Sequence, residues 1–208
     1  IEQTNEYPEE AKFVWHPEGM WAVDEFMRIA SEEEKARFIE ACRSGQIHLD
    51  VLYAQAMTGM YTEEELFELM TSAKRFEADY GVQIDSAMQS DVPGYTWGLA
   101  SALAHHGVNY MSIGPNHFHR MGYTFEWGDK PFWWESPSGL HRILFWMCGD
   151  GYAYFHNHQL SERSIFDYLA GLEDKGYPFD MSLMRYCIGG DNGPPNRDLS
   201  DFVKDWNE

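Results

Sequence analysis

Cysteine, basic residues and long apolar runs are all scarce in this chain. The three cysteines, Cys42, Cys148 and Cys187, lie far apart among 208 residues, which argues against a disulfide framework and against a CxxC metal site. No apolar run approaches the length of a membrane-spanning helix, and no charged and apolar leader is visible. We therefore expect a soluble protein with no targeting segment in this chain, and the sequence leaves its compartment open.

The shortage of basic residues gives the chain a strongly negative charge. Its 15 Lys and Arg stand against 34 Asp and Glu, for a formal net charge of −19 at pH 7. Such a field repels nucleic acid and anionic membranes, so we expect neither as a partner. A neutral carbohydrate fits this charge, although an acidic surface that serves solubility alone accounts for it equally well.

Short apolar segments alternate with helical ones along the chain. Apolar runs near residues 12, 47, 84, 108, 143 and 183 predict six strands. Helices are predicted over residues 18–29, 31–45, 62–81, 97–106, 161–172 and 199–206, with Ser31 and Thr62 as N-caps. The segment from Asn116 to Pro137 is predicted to be irregular. Because no linker or repeat divides the chain, we expect one domain over residues 1–208, built on a parallel sheet that is open or closed into a barrel.

The stretch from Ile84 to Pro115 is the most informative part of the sequence. It is predicted to fold as a strand, a turn that contains Asp91, a helix and a second strand. Asp91 then follows the carboxyl end of a strand, where ligand-binding and catalytic side chains collect in α/β proteins. A turn or helix-cap aspartate is the alternative, since Asp is favoured there for its local hydrogen bonds.

Five segments together resemble glycoside hydrolase family 38, the α-mannosidases. The turn Asp91-Val92-Pro93-Gly94 is similar to the family's nucleophile turn, with the proline displaced by one place. The other four segments follow the family's order and are Lys12 to Trp15 with Trp21, Phe38 to Leu49, Pro131 to Gly139, and Gly189 to Pro195. Because they span nearly the whole chain in that order, the resemblance is specific even though each segment alone is a weak signal.

The resemblance implies an α/β fold, namely a (β/α) barrel of the seven-stranded glycoside hydrolase/deacetylase type. Six predicted strands leave this barrel one short, and no His-x-Asp zinc pair of the kind found on the family's first strand precedes Phe13. We therefore expect a barrel that lacks its first strand here, in a chain that is a fragment of a longer protein or a diverged member. The resemblance also implies zinc as cofactor, and Asp91 is the one family metal ligand that this sequence matches.

The same resemblance assigns catalytic roles to two aspartates. A retaining glycosidase needs a nucleophilic carboxylate and a second carboxyl group that acts as acid and then as base, about 5 to 5.5 Å apart. Asp91 corresponds to the nucleophile, and Asp191, in the late Gly-Asp loop, is the candidate acid/base. Asp191 also fits an ordinary turn between glycines, and that alternative stays open.

Aromatic residues near these segments are candidates for contact with sugar rings. Trp21, Tyr95, Trp97, Trp133 and Trp134 are expected in part to line a cleft and in part to fill the core. Asn192, beside Asp191, is assigned to the substrate on the same resemblance. Two His-x-His pairs have a spacing that can bind metal on a strand, although loop histidines are the simpler account: His117 with His119, and His156 with His158.

The sequence therefore predicts a retaining glycoside hydrolase that acts on α-mannoside-like linkages, with a carbohydrate as its substrate. Two alternatives remain at this point. One is a metal-dependent carbohydrate deacetylase, in which Asp91 would be a metal ligand or a base. The other is a sugar-binding barrel that has lost catalysis together with the zinc pair. The linkage and the oligomeric state are not predicted.

Overall fold

One mixed sheet of four strands forms the centre of the part of the chain that the structure describes. The computed structural model describes residues 1–115, 129–148, 152, 160–185, 196 and 198–208. The strands are β1 (Ser86–Ser90), β2 (Tyr110–Gly114), β3 (Pro131–Glu135) and β4 (Arg142–Met147). Their order across the sheet is β1-β2-β4-β3, in which β1, β2 and β4 are parallel and β3 is antiparallel to β4.

Seven α-helices are present among the described residues. Their bounds are α1 (Met20–Ile29), α2 (Glu32–Arg43), α3 (Glu63–Glu68), α4 (Thr71–Tyr80), α5 (Gly98–His105), α6 (Glu162–Asp174) and α7 (Leu199–Asn207). Short 3-10 turns lie at Glu2–Thr4, Glu9–Ala11 and Thr58–Met60. No helix in these ranges is long and apolar enough to cross a membrane.

The predicted N-caps Ser31 and Thr62 are confirmed, and each forms a capping box. The Ser31 hydroxyl accepts a bond from the Glu34 N–H while the Glu34 carboxylate accepts one from the Ser31 N–H, and Thr62 pairs with Glu65 in the same way. The single helix predicted from Thr62 to Gly81 is instead two helices, α3 and α4, which are separated at Leu69 and Met70. Gly81 ends α4 in the left-handed conformation that glycine adopts without steric cost.

Alternating burial along the parallel strands explains where the core lies. Met111 and Ile113 of β2 are buried, as side chains two residues apart on one face of a strand must be if that face is covered. Leu99 and Leu103 of α5, four residues apart on one helix face, are fully buried in the same apolar cluster. The sheet and α5 therefore share one continuous core.

The predicted seven-stranded barrel lacking its first strand is wrong, because the described residues form a single open sheet of four strands. The predicted strands near residues 12 and 47 meet only at an isolated parallel bridge between Trp15 and Ile47. Residues 183–185 are not in a strand, while Pro131–Glu135, predicted to be irregular, forms β3.

Side chains from residues 50–55 explain why that segment does not join the sheet as a strand. One main-chain bond links it to β1, from the Val51 N–H to the Ser86 carbonyl at 3.0 Å. The next two N–H groups of β1 that face it donate to side chains, Met88 to Asp50 Oδ2 at 3.0 Å and Ser90 to Gln55 Oε1 at 2.9 Å. The edge of β1 is thus hydrogen-bonded without a regular neighbouring strand.

Asp50 is the more deeply buried of these two side chains. It is 1% exposed, and its Oδ1 also accepts the Leu52 N–H at 2.8 Å. Burial raises the pKa of Asp50 to about 8, although the two main-chain N–H bonds favour the charged form and lower the pKa. The Asp50 carboxyl group therefore links residues 50–52 to β1. Its contribution to the free energy of folding depends on whether it is protonated.

We predict that Asp50→Ala lowers the free energy of unfolding at mildly acidic pH by roughly 2 to 4 kcal/mol, because it leaves two N–H groups without their acceptors. Urea unfolding measures the change. Asp174→Ala is the matched control, since it makes the same substitution at an exposed position at the end of α6. Equal unfolding free energies for the two variants would contradict the prediction.

We also predict that the stabilising effect of Asp50 weakens as pH rises from about 4 to about 8. The folded carboxyl keeps its proton up to a pKa of about 8, whereas the unfolded one loses it near pH 3.9, so unfolding releases a proton in this window and rising pH favours it. The slope is at most about 1.4 kcal/mol per pH unit.

Comparing wild type with Asp50→Ala at each pH isolates this effect from that of His16. Burial lowers the pKa of His16 to about 4, so its contribution to stability has the opposite slope and increases with pH up to its unfolded pKa near 6.5. The difference in unfolding free energy between the two proteins, from urea titrations at several pH values, should decrease with pH. A constant or growing difference would rule out the raised pKa of Asp50.

Candidate functional site

The parallel strands bring their carboxyl ends to one edge of the sheet. Asp91 follows β1, Pro115 follows β2 and Cys148 follows β4. Two main-chain bonds cross this edge, from the Asp91 N–H to the Gly114 carbonyl at 2.8 Å and from the Cys148 N–H to the Ile113 carbonyl at 3.0 Å. We refer to these strand ends and the side chains that contact them as the carboxyl edge.

Asp91 lies where the sequence predicts it, directly after the last residue of β1. Its side chain is exposed, and its backbone has a φ of 61°, in the left-handed region. Among non-glycine residues, Asp is one of those that adopt this conformation most readily, and such positions recur at active sites as well as in turns. The carboxylate is therefore accessible and attached to a backbone that is fixed by the sheet.

The loop after Asp91 is fastened to the 3-10 turn at Thr58–Met60. The Gly59 N–H donates to the Gly94 carbonyl at 2.8 Å, and the Thr96 N–H donates to the Thr58 hydroxyl at 3.0 Å. Thr58 is fully buried. The segment between β1 and α5 is thus held at both ends, first by β2 and then by this turn.

Arg185 contacts the carboxyl edge from a distant part of the sequence. Its Nη1 donates to the Ser90 hydroxyl and its Nη2 to the Ser112 hydroxyl, both at 3.0 Å. Gly114 leaves room for the guanidinium, because a Cβ there would lie 2.5 Å from Nη1 and 2.8 Å from the Cα of Tyr152. Burial raises the pKa values of Asp50, Tyr95 and Cys148 and lowers that of His16, and the positive charge of Arg185 makes a smaller contribution that lowers all four.

Tyr95 is a predicted substrate-binding residue that the structure brings to Asp91. Burial raises the pKa of its phenol, the Arg185 charge opposes that shift, and the Asp91 carboxylate adds to it. The hydroxyl is shielded from solvent and has no hydrogen-bond partner among the described residues. The Tyr95 phenol is therefore close enough to Asp91 and to Arg185 for both charges to affect it.

The predicted tryptophans do not gather with Asp91 as a group. Trp134 packs against Phe145 with ring centroids 5.1 Å apart, beside the core. Trp133 is exposed and stacks with the Arg142 guanidinium at 4.6 Å. Both belong to β3, an edge strand.

Two further tryptophans are exposed for more than half of their area. Trp97 is 60% exposed, and its indole N–H donates to the Glu135 carbonyl at 2.5 Å. Glu135 pairs with the first residue of β4, which directs this indole N–H away from the carboxyl edge. Trp21 is 54% exposed near the start of α1. Exposure leaves both rings available to a ligand, but neither has a described contact with Asp91.

Several predicted residues lie outside the described part of the chain. They are Asp191, Asn192 and the two His-x-His pairs, His117 with His119 and His156 with His158. Their roles therefore stay predictions.

His16 is the described side chain that best suits a metal. Its Nε2 is shielded from solvent without a hydrogen-bond partner in the described ranges, and burial, with smaller effects from His48 and Arg185, lowers its pKa to about 4. The ring is therefore neutral at neutral pH, as a metal ligand must be. Glu18 follows at the spacing of a His-x-acid pair, yet the described residues contain no group of three His, Cys, Asp or Glu side chains that could hold an ion. By themselves they do not make a zinc site.

Sequence reasoning missed Arg185, His16 and Asp50. A local signal existed for His16, which immediately follows the predicted strand at Phe13 to Trp15. Asp50 likewise falls within a predicted strand, where a carboxylate among apolar residues is unusual. No local signal marks Arg185, because its partners are 95 and 73 residues away.

Comparison with solved structures shows which proteins share this fold. The chain is similar to an alpha-mannosidase from Enterococcus faecalis V583, with a TM-score of 0.71 and 15% identity over 99% of this chain and 23% of that one. A protein in the glycosyl hydrolase family 38, also from Enterococcus faecalis, gives a TM-score of 0.62 and 13% identity over 97% and 21%. A 4-alpha-glucanotransferase from Thermococcus litoralis gives 0.64 and 14% over 96% and 31%. The chain thus spans less than a third of each.

Sequence comparison identifies the family directly. None of the curated proteins matches this chain. However, the family model of the glycosyl hydrolases family 38 N-terminal domain matches residues 1–208 of this chain. This match confirms the resemblance seen in the five segments. The chain belongs to glycosyl hydrolase family 38, as an N-terminal domain of that family.

Proposed function

We propose that this chain is the catalytic-type domain, over residues 1–208, of a retaining glycoside hydrolase that acts on α-mannoside-like linkages. Asp91 is its nucleophile and a carbohydrate is its substrate. Family membership supports the reaction class, and the likeness to an alpha-mannosidase supports the linkage. Because the chain spans 23% of that enzyme, the proposal concerns the complete protein.

The observation that carries the proposal is the position of Asp91. An attacking carboxylate must be accessible to the sugar and fixed relative to it, since catalysis depends on near-attack geometry. Asp91 is exposed, and its main chain is bonded to Gly114 of the neighbouring strand.

The reaction takes place in two displacements. In the first, a carboxylate oxygen of Asp91 attacks the anomeric carbon, the glycosidic bond breaks, and the leaving oxygen takes a proton from the acid, which we assign to Asp191. In the second, the ionised Asp191 removes a proton from water, the water oxygen attacks the anomeric carbon, and the ester to Asp91 breaks. The sugar is released with its original configuration. We expect the two carboxyl groups to be about 5 to 5.5 Å apart.

Zinc enters the proposal through the family resemblance. His16 offers a neutral nitrogen, and Asp91 is the residue that matches a family ligand, but the described residues do not complete a ligand set. A bound zinc ion would supply a positive charge that orients sugar hydroxyls. The two displacements described above are assigned to this chain's carboxylates alone.

Among the aromatic residues, Tyr95 has the best claim to contact the substrate, because its phenol is close enough to Asp91 for their charges to interact. Exposed Trp21, Trp97 and Trp133 offer flat faces for sugar stacking. Trp134 packs beside the core, so its contribution is to hold β3 in place. Asn192 is proposed to bind the substrate through its position beside Asp191.

We predict that Asp91→Asn lowers turnover of an aryl α-mannoside by roughly three orders of magnitude or more, since an amide cannot form the glycosyl ester. The fold should persist, because Asn also accepts the left-handed backbone that Asp91 adopts. The measurements are kcat and KM for the complete protein, with thermal unfolding to verify the fold.

Two further variants complete this experiment. Asp174→Asn, at an exposed position in α6, removes the same charge and should leave turnover unchanged. Asp191→Asn should lose least activity on substrates whose leaving group needs no proton. Near-normal turnover by Asp91→Asn would show that Asp91 is only a turn residue. If the wild-type protein instead binds mannosides without turnover, a sugar-binding role replaces the hydrolase.

A further inference from the structure

The Arg185 side chain joins the last residue of β1, which precedes Asp91, to the middle of the neighbouring strand β2. Ser90 and Ser112, which accept bonds from the two arms of its guanidinium, belong to β1 and β2. In the parallel register Ser90 lies opposite Gly114, and Ser112 lies opposite Met88. The two hydroxyls therefore face the same side of the sheet, two residues apart, and one rigid planar fork spans them.

The backbone beneath the fork is the one that holds Asp91. Gly114 accepts the Asp91 N–H at 2.8 Å, and the missing Cβ of Gly114 is the space beside which Nη1 lies. The Tyr152 N–H donates to the Pro115 carbonyl at 3.2 Å, next to this space. Arg185 therefore lies beside Gly114, whose carbonyl holds the Asp91 N–H, and is bonded to Ser90, the residue before Asp91.

No carboxylate in the described ranges lies within ion-pair distance of Arg185, although six other basic side chains there have such partners. The two serine hydroxyls are thus its hydrogen-bond acceptors in that part of the chain. A partly buried guanidinium is costly to desolvate. Its bonds to Ser90 and Ser112 offset part of that cost.

We propose that Arg185 is a positioning residue of the glycosidase reaction. By bonding Ser90 and Ser112 across Gly114, it fixes the end of β1 and with it the direction in which the Asp91 carboxylate projects. The inference rests on the proposed role of Asp91 as nucleophile. Arg185 does not bond to the Asp91 side chain and is given no chemical step.

The first test follows the main chain and needs no turnover. In Arg185→Met, which keeps an apolar side chain but loses both bonds, the Asp91 amide should exchange its hydrogen at least about tenfold faster, as local opening becomes easier. Amides of the β3–β4 pair should exchange at their wild-type rates. Arg163→Met is the control, since Arg163 is 91% exposed on α6. Equal exchange at Asp91 in the two variants would overturn the proposal.

The second test is kinetic and uses an aryl α-mannoside with the complete protein. Arg185→Met should lower kcat by about 100-fold with little change in KM, the size expected when a reacting group is displaced by about 1 Å. In Arg185→Ala, added methylguanidinium should restore part of kcat by occupying the vacated space. A rise in KM alone would make Arg185 a substrate-binding residue, and an unchanged kcat would make it a purely structural one. Either result overturns the proposal.

The double variant Ser90→Ala/Ser112→Ala covers the case in which Arg185→Met fails to fold. It removes the same two bonds from the other side and should reproduce both effects. If Arg185→Met does fold, adding it to the double variant should cause little further loss. Full additivity would overturn the proposal. If the wild type hydrolyses no aryl α-mannoside, the proposed function fails, and the exchange rates alone then decide whether Arg185 holds the end of β1.

Discussion

The parallel pairing of β1 with β2 is the constraint on which the rest of the structure depends. It sets Ser90 opposite Gly114, and the next bond along, from the Asp91 N–H to the Gly114 carbonyl, continues the pairing past the strand end. The left-handed backbone of Asp91 then turns the chain toward α5. The β1–β2 pair therefore sets the positions of the residues at the carboxyl edge.

Helices and the position of Asp91 could be predicted from the sequence because their causes are local. The Ser31 and Thr62 capping boxes need only residues three positions apart, and the turn after Ser90 is encoded by Asp91, Pro93 and Gly94 themselves. A sequence signal whose residues all lie within one turn or one loop does not depend on the rest of the fold. The five family segments are also short, so the family can be recognised from the sequence alone.

The predicted strands near residues 84, 108 and 143 are confirmed as β1, β2 and β4, but the extent of the sheet could not be predicted because its edges depend on distant residues. Asp50 and Gln55 bond to β1 over separations of 38 and 35 positions, and they do so with side chains, so an apolar run near residue 47 does not become a strand. In β3, Phe132 and Trp133 are both exposed in part, so the segment lacks the alternation that marks a half-buried strand. Arg185 likewise owes its importance to tertiary contacts.

Side-chain bonds to β1 and to the loop after Asp91 also have a consequence for the order of folding. Met88, Ser90, Gly94 and Thr96 all have hydrogen-bond partners between residues 50 and 59, so the segment around Asp91 is completed by residues that precede it in the chain. The chain between residues 59 and 88 must form a closed loop before these bonds can form, and this closure costs conformational entropy. Residues 50–59 lie between α2 and α3 and are synthesised before β1. Arg185, which bonds Ser90 and Ser112, follows all four strands in the sequence, so we expect its bonds to the carboxyl edge to form after those between β1 and residues 50–59.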